Sequence, residues 1–282
     1  MTCQRRDLMG LVFGLLTSLC IGGSDLFGRR VVNARGPIVT GVTIQFVAIF
    51  TALAATLIVP SVFSWGDGLI GMLSGLGLGL GLLWYFTGLS HSSSAVVAPL
   101  VATLSAVIPF SYAVVRGASP TFVALLGALV ALIGLGLITV GGGLTDHIGA
   151  GVRWGVASGM AYGIGLSLAI EVSDASGSWP AMMQRVSAFA LMVVVAAGAK
   201  KKPIPPRGLR LPAVVSGIFA GLSTVFFLLG LDVDPTAAVV TASLFPVVTV
   251  VVGRFVYGDD VVARQIGGIG LVVLGVIGVA AG

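Results

Sequence analysis

The sequence predicts an all-α integral membrane protein with ten transmembrane helices, arranged as two inverted five-helix repeats. Three observations lead to this fold class. Hydrophobic residues make up 57% of the 282 residues and charged residues only 9%, whereas about 25% of an ordinary soluble domain is charged. The apolar residues form long continuous runs. A pattern of glycines also recurs in the two halves of the chain.

Ten apolar runs have about the 20 residues that a helix needs to cross a hydrocarbon core of about 30 Å. Because each run is continuous rather than alternating between apolar and polar residues, the runs predict helices and not the strands of a β-barrel. They lie near residues 8–27, 37–59, 67–89, 94–115, 120–141, 151–171, 180–199, 209–230, 236–256 and 262–281.

The repeat is indicated by two trios of glycines with the same spacings, ten residues and then seven. They are Gly117, Gly127 and Gly134 in the first half and Gly258, Gly268 and Gly275 in the second. Each trio closes a set of five runs. A unit that crosses the bilayer five times ends on the opposite side from its start, so the second copy must be inverted. Inverted repeats with a site between them are typical of secondary transporters.

The predicted boundary between the repeats falls in the turn-rich stretch Gly141–His147, which separates the fifth run from the sixth. Glycine and polar residues of this kind mark a connection rather than a span. The sequence therefore predicts a first five-helix unit at residues 1–144 and a second at 145–282.

Four segments carry a resemblance to a known family. They are Gly22–Phe27 at the end of the first run, Val97–Leu100 in the fourth, Leu244–Val247 in the ninth, and Tyr257–Asp260 between the ninth and tenth. In these segments the chain resembles the drug/metabolite transporter superfamily, specifically its ten-span EamA-type members. The resemblance covers essentially the whole chain. One departure is the Arg116-Gly117-Ala118-Ser119 junction, which lacks the acid that relatives carry after the glycine.

The resemblance implies a secondary active transporter that works by alternating access between its halves. It implies a cavity lined by spans one to four and six to nine, with spans five and ten peripheral. The expected function is export of a small metabolite such as an amino acid. A multidrug or cation exporter and a non-transporting membrane scaffold or sensor are the alternatives.

Ionisable residues inside the spans are the first candidates for the site, since each costs roughly 2.5–3.5 kcal/mol at the centre of a helix. Asp25 lies near the end of the first run, where it either lines the cavity or pairs with Arg29 at i+4. Arg185 lies early in the seventh run, where it either reaches the head groups or faces a watery cavity. Both are predicted substrate-binding residues.

Five further residues complete the predicted site. Gln45 places an amide in the middle of the second run, where it needs a partner. Tyr85 and Phe226 are aromatics at matching places in the two halves, and Pro99 and Pro246 interrupt the backbone hydrogen bonds of counterpart spans. Polar groups of a substrate can bind at such interruptions.

Proton coupling is predicted at Asp25 or Glu171, the acids near the ends of the counterpart first and sixth runs. For Glu171, beside Ser173 and Asp174, a place at the membrane surface is the favoured interpretation. No enzyme, metal site or cofactor is predicted, because His91 and His147 lie in predicted loops and have no metal-ligand spacing.

The basic residues stand at helix ends, where they meet anionic lipid head groups rather than a nucleic acid. The expected partners are therefore the lipid bilayer and a small-molecule substrate, with the chain a monomer or weak homodimer. The expected location is a cell membrane of the bacterial inner or plasma membrane type.

Two observations disagree on the orientation. The family implies that both termini are inside. Eleven of the fifteen Lys and Arg residues, however, lie at the membrane side away from the termini, and basic residues in short loops favour the inside.

Overall fold

The computed structural model describes residues 3–58, 61–117, 119–139, 146–242 and 244–281. Over these ranges the chain is helical and contains no β-strand. The eleven α-helices are α1 (Cys3–Arg35), α2 (Pro37–Ile58), α3 (Trp65–His91), α4 (Ser94–Val115), α5 (Phe122–Thr139), α6 (Asp146–Ala169), α7 (Trp179–Gly198), α8 (Arg207–Val233), α9 (Pro235–Ala242), α10 (Phe245–Tyr257) and α11 (Ala263–Ala281), with a 3₁₀ turn at Asp174–Ser176.

Nine of the ten predicted runs each form one helix. The ninth run differs, because it divides into α9 and α10. Pro246 is at the start of α10, and a proline lacks the N–H of the helical ladder and favours the first turn of a new helix. Pro99, by contrast, lies inside α4, which is continuous from Ser94 to Val115.

Among the described residues, six helices are long and apolar enough to cross a membrane. They comprise Leu8–Arg35, Pro37–Ile58, Trp65–His91, Ser94–Val115, Trp179–Gly198 and Arg207–Val233. Shorter apolar helices cover Phe122–Gly134, Phe245–Tyr257 and Ala263–Val279. Large apolar side chains such as Leu57 and Phe255 lie exposed on the outside of the bundle, where lipid would cover them. The all-helical membrane fold class is thus confirmed.

Helices at the same position in the two halves make corresponding contacts with the other half. In the first half α1 packs against α8 and against α9 and α10, while in the second half its counterpart α6 packs against α3 and α4. Helices α2 and α7 pack against each other, and so do α5 and α11. This pattern is the one expected of two inverted five-helix units, whose bounds stay a prediction. The predicted boundary between residues 144 and 145 lies outside the described residues.

The two glycine trios have a structural explanation. Gly117 and Gly258 adopt positive φ angles of 100° and 70°, in a region that L side chains rarely occupy. Both follow the fourth span of a half. The other four glycines lie on α5 and α11, where a Cβ added to Gly134 would lie 2.7 Å from the carbonyl oxygen of Gly268. The glycines therefore let the backbones of α5 and α11 touch.

A second glycine stripe lets α6 approach α4. A Cβ added to Gly155 would lie 2.9 Å from Leu100 Cδ1, and one added to Gly163 would lie 2.8 Å from Ile108 Cβ. The side chains of α4 thus fill the groove that the glycines leave on α6. This packing fixes α4 and α6 beside α3, so that the polar residues of several helices meet in the centre of the bundle.

Candidate functional site

Asp25 of α1 is the centre of a polar cluster inside the bundle. Its side chain is buried, and Oδ2 accepts hydrogen bonds from the Tyr85 hydroxyl at 2.7 Å and from the Thr249 hydroxyl at 2.5 Å. Tyr85 lies on α3 and Thr249 on α10. One carboxylate therefore joins two helices of the first half to one helix of the second.

Arg29, one helical turn after Asp25, does not form the considered i+4 pair. Its guanidinium instead donates to Asp259 at 2.7 and 2.8 Å and lies 4.7 Å from the ring centroid of Tyr257. Asp259 also accepts hydrogen bonds from the Ser94 N–H at 2.8 Å and the Ser94 hydroxyl at 2.7 Å. The turn after α10 is thus tied both to α1 and to the start of α4.

The charge of Asp259 is stabilised by these contacts. Burial raises the pKa of this carboxyl, but the hydrogen bonds from Arg29 and Ser94 outweigh the burial, and the pKa lies below its ordinary value. Hydrogen bonds and a neighbouring cation both favour the ionised form of an acid. Asp259 therefore stays ionised and bound to Arg29 at neutral pH.

A second polar cluster surrounds Arg185 of α7, which is buried. It donates to the side-chain oxygen of Gln45 on α2 at 3.1 Å. On α8 it donates to the Thr224 hydroxyl at 2.5 Å and to the Ala220 carbonyl at 3.3 Å. The ion pairs of the described residues do not include Arg185. A buried guanidinium is thus bound by neutral groups alone.

Tyr162 of α6 is partly buried and packs against the apolar cluster that contains Tyr85, the residue that binds Asp25. Its ring packs against α3, because a Cβ added to Gly81 would lie 2.7 Å from it. Ala220, whose carbonyl accepts from Arg185, packs against the same apolar cluster. Side chains from both repeats therefore converge on one polar region.

The remaining predicted residues lie elsewhere. Phe226 stacks on Phe13 with the ring centroids 6.4 Å apart, between α8 and α1. Pro99 is buried in α4, and its carbonyl accepts a hydrogen bond from Thr103 at 2.8 Å. Pro246 is buried at the start of α10, three residues before Thr249. For these three residues substrate binding stays a prediction.

Glu171 lies at the end of the bundle opposite to Asp259. It binds Arg116 at 3.0 Å and accepts a hydrogen bond from the Tyr112 hydroxyl at 2.8 Å, in a partly exposed position. Helix α4 therefore carries an ion pair near each of its ends: Arg29–Asp259 beside Ser94 and Arg116–Glu171 beside Val115. Glu171 has no contact with the Asp25 cluster.

A cavity of about 900 Å³ opens at the end of the bundle that carries Asp259. Its walls include Arg29, His91, Ser93, Asp259 and Gln265. Arg29 also lines a narrow cleft around Asp25 and Thr249. The Arg29–Asp259 pair thus lies between the open cavity and the buried Asp25.

Sequence reasoning did not place Thr224, Tyr162, Thr249 or Asp259 in the site. Each is a hydroxyl or acid within or beside an apolar run, which is a weak signal alone. The described part of the chain also contains no group of three side chains able to hold a metal ion. His91 ends α3 and His147 is the second residue of α6, rather than lying in loops.

Residues 149–281 match the model of the EamA-like transporter family. The second half of the chain is EamA-like. Over these residues the match confirms the resemblance to the drug/metabolite transporter superfamily. The family supports a multi-pass membrane transporter, whose surroundings are a lipid bilayer and whose substrate is a small molecule.

A likeness in fold covers nearly the whole chain. A solved crystal structure of another protein is similar with a TM-score of 0.66 and 17% sequence identity, over 98% of this chain and 95% of that chain. At this identity the likeness concerns the fold alone. No curated protein sequence matches the chain.

Proposed function

We propose that the chain is a secondary active transporter that exports a small metabolite such as an amino acid, by alternating access between its two repeats. The contact that carries the proposal is the one between Asp25, Tyr85 and Thr249, because it joins the halves through a single buried carboxylate. Polar residues at the interface of inverted repeats are where transporters bind substrates and coupling ions.

Asp25 couples substrate or proton binding to helix movement. As a carboxylate it accepts from both Tyr85 and Thr249 through one oxygen. When a proton or a substrate ammonium group binds, the negative charge of the carboxylate is neutralised, and its hydrogen bonds to α3 and α10 weaken because a charged acceptor binds more strongly. Helix α10 is separate from α9, so it can move as a short unit.

The charges of the clusters favour an amino acid over an organic cation. Buried Asp25 beside Tyr85 would suit a cation, which makes a cation exporter the second candidate. Arg185, however, places a buried positive charge in the same region, and this charge repels a simple cation. A molecule with both a positive and a negative group matches both side chains.

The distribution of basic residues supports a cytoplasmic position for the end that carries the Arg29–Asp259 pair and Lys200–Lys202. In this orientation the cavity of about 900 Å³ opens to the cytoplasm, where an exporter receives its substrate. Fusion of a fluorescent reporter or a phosphatase to the C-terminus tests it. Phosphatase activity with no fluorescence is expected, and the reverse contradicts this orientation.

Flux measurements test the transporter itself. The purified protein in liposomes is expected to move one or more amino acids when a proton gradient is imposed, and a protonophore is expected to abolish the effect. Asp25→Asn should lose coupled flux, while Asp232→Asn, a change of an exposed acid, should keep it. A folded protein without flux of any compound in a panel of amino acids, sugars, nucleosides and cationic drugs would contradict the proposal.

A further inference from the structure

Arg185 is a buried cation without a buried anion. Three of its N–H groups are bound by Gln45, Thr224 and Ala220, all of which are neutral. The Nε–H has no partner among the described residues. A guanidinium removed from water needs a negative partner as well as hydrogen bonds, and here only the hydrogen bonds are present.

Gln45 adds a second unused donor to the same place. Because a guanidinium only donates hydrogen bonds, the amide oxygen of Gln45 must face Arg185 and the amide nitrogen must point away from it. This nitrogen is buried and has no acceptor in the described part of the chain. Buried donors without acceptors are rare in folded proteins and call for an explanation.

The two helices that carry these donors are counterparts in the two repeats. Gln45 lies in α2 and Arg185 in α7, and α2 and α7 pack against each other. Counterpart helices that contact each other meet at the axis expected to relate two inverted repeats, so a group bound between them would lie near that axis. Such a position belongs equally to both halves and remains in the transport pathway as one half rocks against the other.

We propose that Arg185 and Gln45 form a binding subsite for the carboxylate group of the transported molecule. This inference rests on the proposed transport function and names the chemical class that the site selects. A carboxylate oxygen accepts the unused N–H groups of both side chains and neutralises the guanidinium. Thr224 positions Arg185, because its hydroxyl accepts from Arg185 and donates to the Ala220 carbonyl.

The subsite suits one negative charge rather than two. It offers a single cation and a single amide. No other Lys or Arg hydrogen-bonds to these groups among the described residues. Asp25 belongs to a separate polar cluster with Tyr85 and Thr249, where it suits a positive group on the same substrate. A monocarboxylate with an amino group therefore fits the pair of clusters better than a phosphate dianion does.

Thermal unfolding of the purified protein with matched probes tests the subsite. An amino acid found to raise the unfolding temperature is compared with its carboxamide and with the amine that lacks the carboxyl group. Binding at least tenfold weaker for the amide and the amine is expected. Equal binding of all three overturns the inference. An equal shift with sodium chloride also overturns it, because the site would then hold an inorganic anion only.

Substitutions test whether the preference for a carboxylate over an amide depends on Arg185 and Gln45. Arg185→Gln should lose the difference between acid and amide, and Arg207→Gln, a change of an exposed arginine, should keep it. Gln45→Glu serves where Arg185→Gln does not fold. Its carboxylate should pair with Arg185, stabilise the protein and exclude the substrate carboxylate. Substrate binding by Gln45→Glu at the wild-type level would overturn the inference.

Flux in liposomes separates this inference from the transport proposal. Transport of amines without a carboxyl group, unchanged in Gln45→Glu, would refute the carboxylate subsite and leave the transporter intact. Binding of carboxylates that depends on Arg185, without flux of any compound, would support the subsite and refute transport.

Discussion

The guanidinium of Arg29 donates to both carboxylate oxygens of Asp259, at 2.7 and 2.8 Å, across 230 residues of sequence. Because Asp259 also binds the N–H and hydroxyl of Ser94, one acid holds the end of α1, the start of α4 and the turn before α11. These elements come from both repeats. The pair lies between the open cavity and the cleft around Asp25.

Loss of Asp259 should lower stability strongly. The side chains of Arg29 and Asp259 are only 11% and 7% exposed, and removal of one partner of a buried pair costs about 3–5 kcal/mol because the other charge remains unpaired. Asp259→Asn is therefore expected to lower the unfolding temperature clearly in detergent. Arg29→Gln should then lower the stability of the Asp259→Asn protein much less than it lowers the stability of the wild-type protein. This comparison is a double-mutant cycle.

The ion pair at the other end of α4 is the control. Arg116 and Glu171 are 61% and 32% exposed, and exposed pairs contribute about 0–1 kcal/mol. The same double-mutant cycle on Arg116 and Glu171 should thus give a small coupling energy. Similar coupling at both ends would show that the Arg29–Asp259 pair is more hydrated than its burial indicates.

Stability should fall on acidification through Asp259. Its pKa in the folded protein is lowered, so its stabilising contribution is complete above the unfolded pKa of about 3.9 and is lost as the pH falls through the folded value. As the pH falls below about 4, the wild-type protein should therefore lose more stability than Asp259→Asn. Unfolding temperatures of the two proteins, measured at pH values above and below about 4, test this expectation. Asp232→Asn should follow the wild-type profile.

The fold was largely predictable from local patterns. Apolar runs predict helices because each span must satisfy its own backbone hydrogen bonds in lipid. The spacing of the glycine trios predicts a repeat, whereas the turns at Gly117 and Gly258 and the contact between α5 and α11 are seen only in the structure. The division between α9 and α10 was missed, although Pro246 marked the place. A proline inside a run is compatible with a kink or with an end, and Pro99 shows the first outcome.

The site was less predictable, because its contacts join distant residues. Asp25 and Arg185 stand out in the sequence, because each is an ionisable residue within an apolar run. The partners of Asp25 lie 60 and 224 residues away along the chain, and no periodicity connects them. The i+4 spacing allows a local pair of Arg29 with Asp25, whereas in the structure Arg29 binds Asp259, 230 residues away.

Removal of the donors to Asp25 tests the central cluster. Tyr85→Phe keeps the ring and deletes one hydrogen bond to the carboxylate, and hydrogen bonds to charged groups contribute about 1.5–3 kcal/mol. Lower stability and slower proton-driven flux are expected. Tyr112→Phe deletes a similar bond to the partly exposed Glu171 and should leave both nearly unchanged. Equal effects of the two substitutions on stability and flux would contradict the proposed role of Asp25 in transport.

The contact between α5 and α11 should not tolerate a methyl group. A Cβ added to Gly275 would lie 2.6 Å from the carbonyl oxygen of Gly127, and this oxygen belongs to the backbone and cannot move away alone. Overpacking of this kind typically costs 1–3 kcal/mol, so Gly275→Ala should lower the unfolding temperature. Gly270→Ala, on the same helix, meets nothing within 4 Å and should be neutral or slightly stabilising, since alanine favours helix. If the two variants unfold alike, the two helices do not touch through their backbones, and the trios then have another cause.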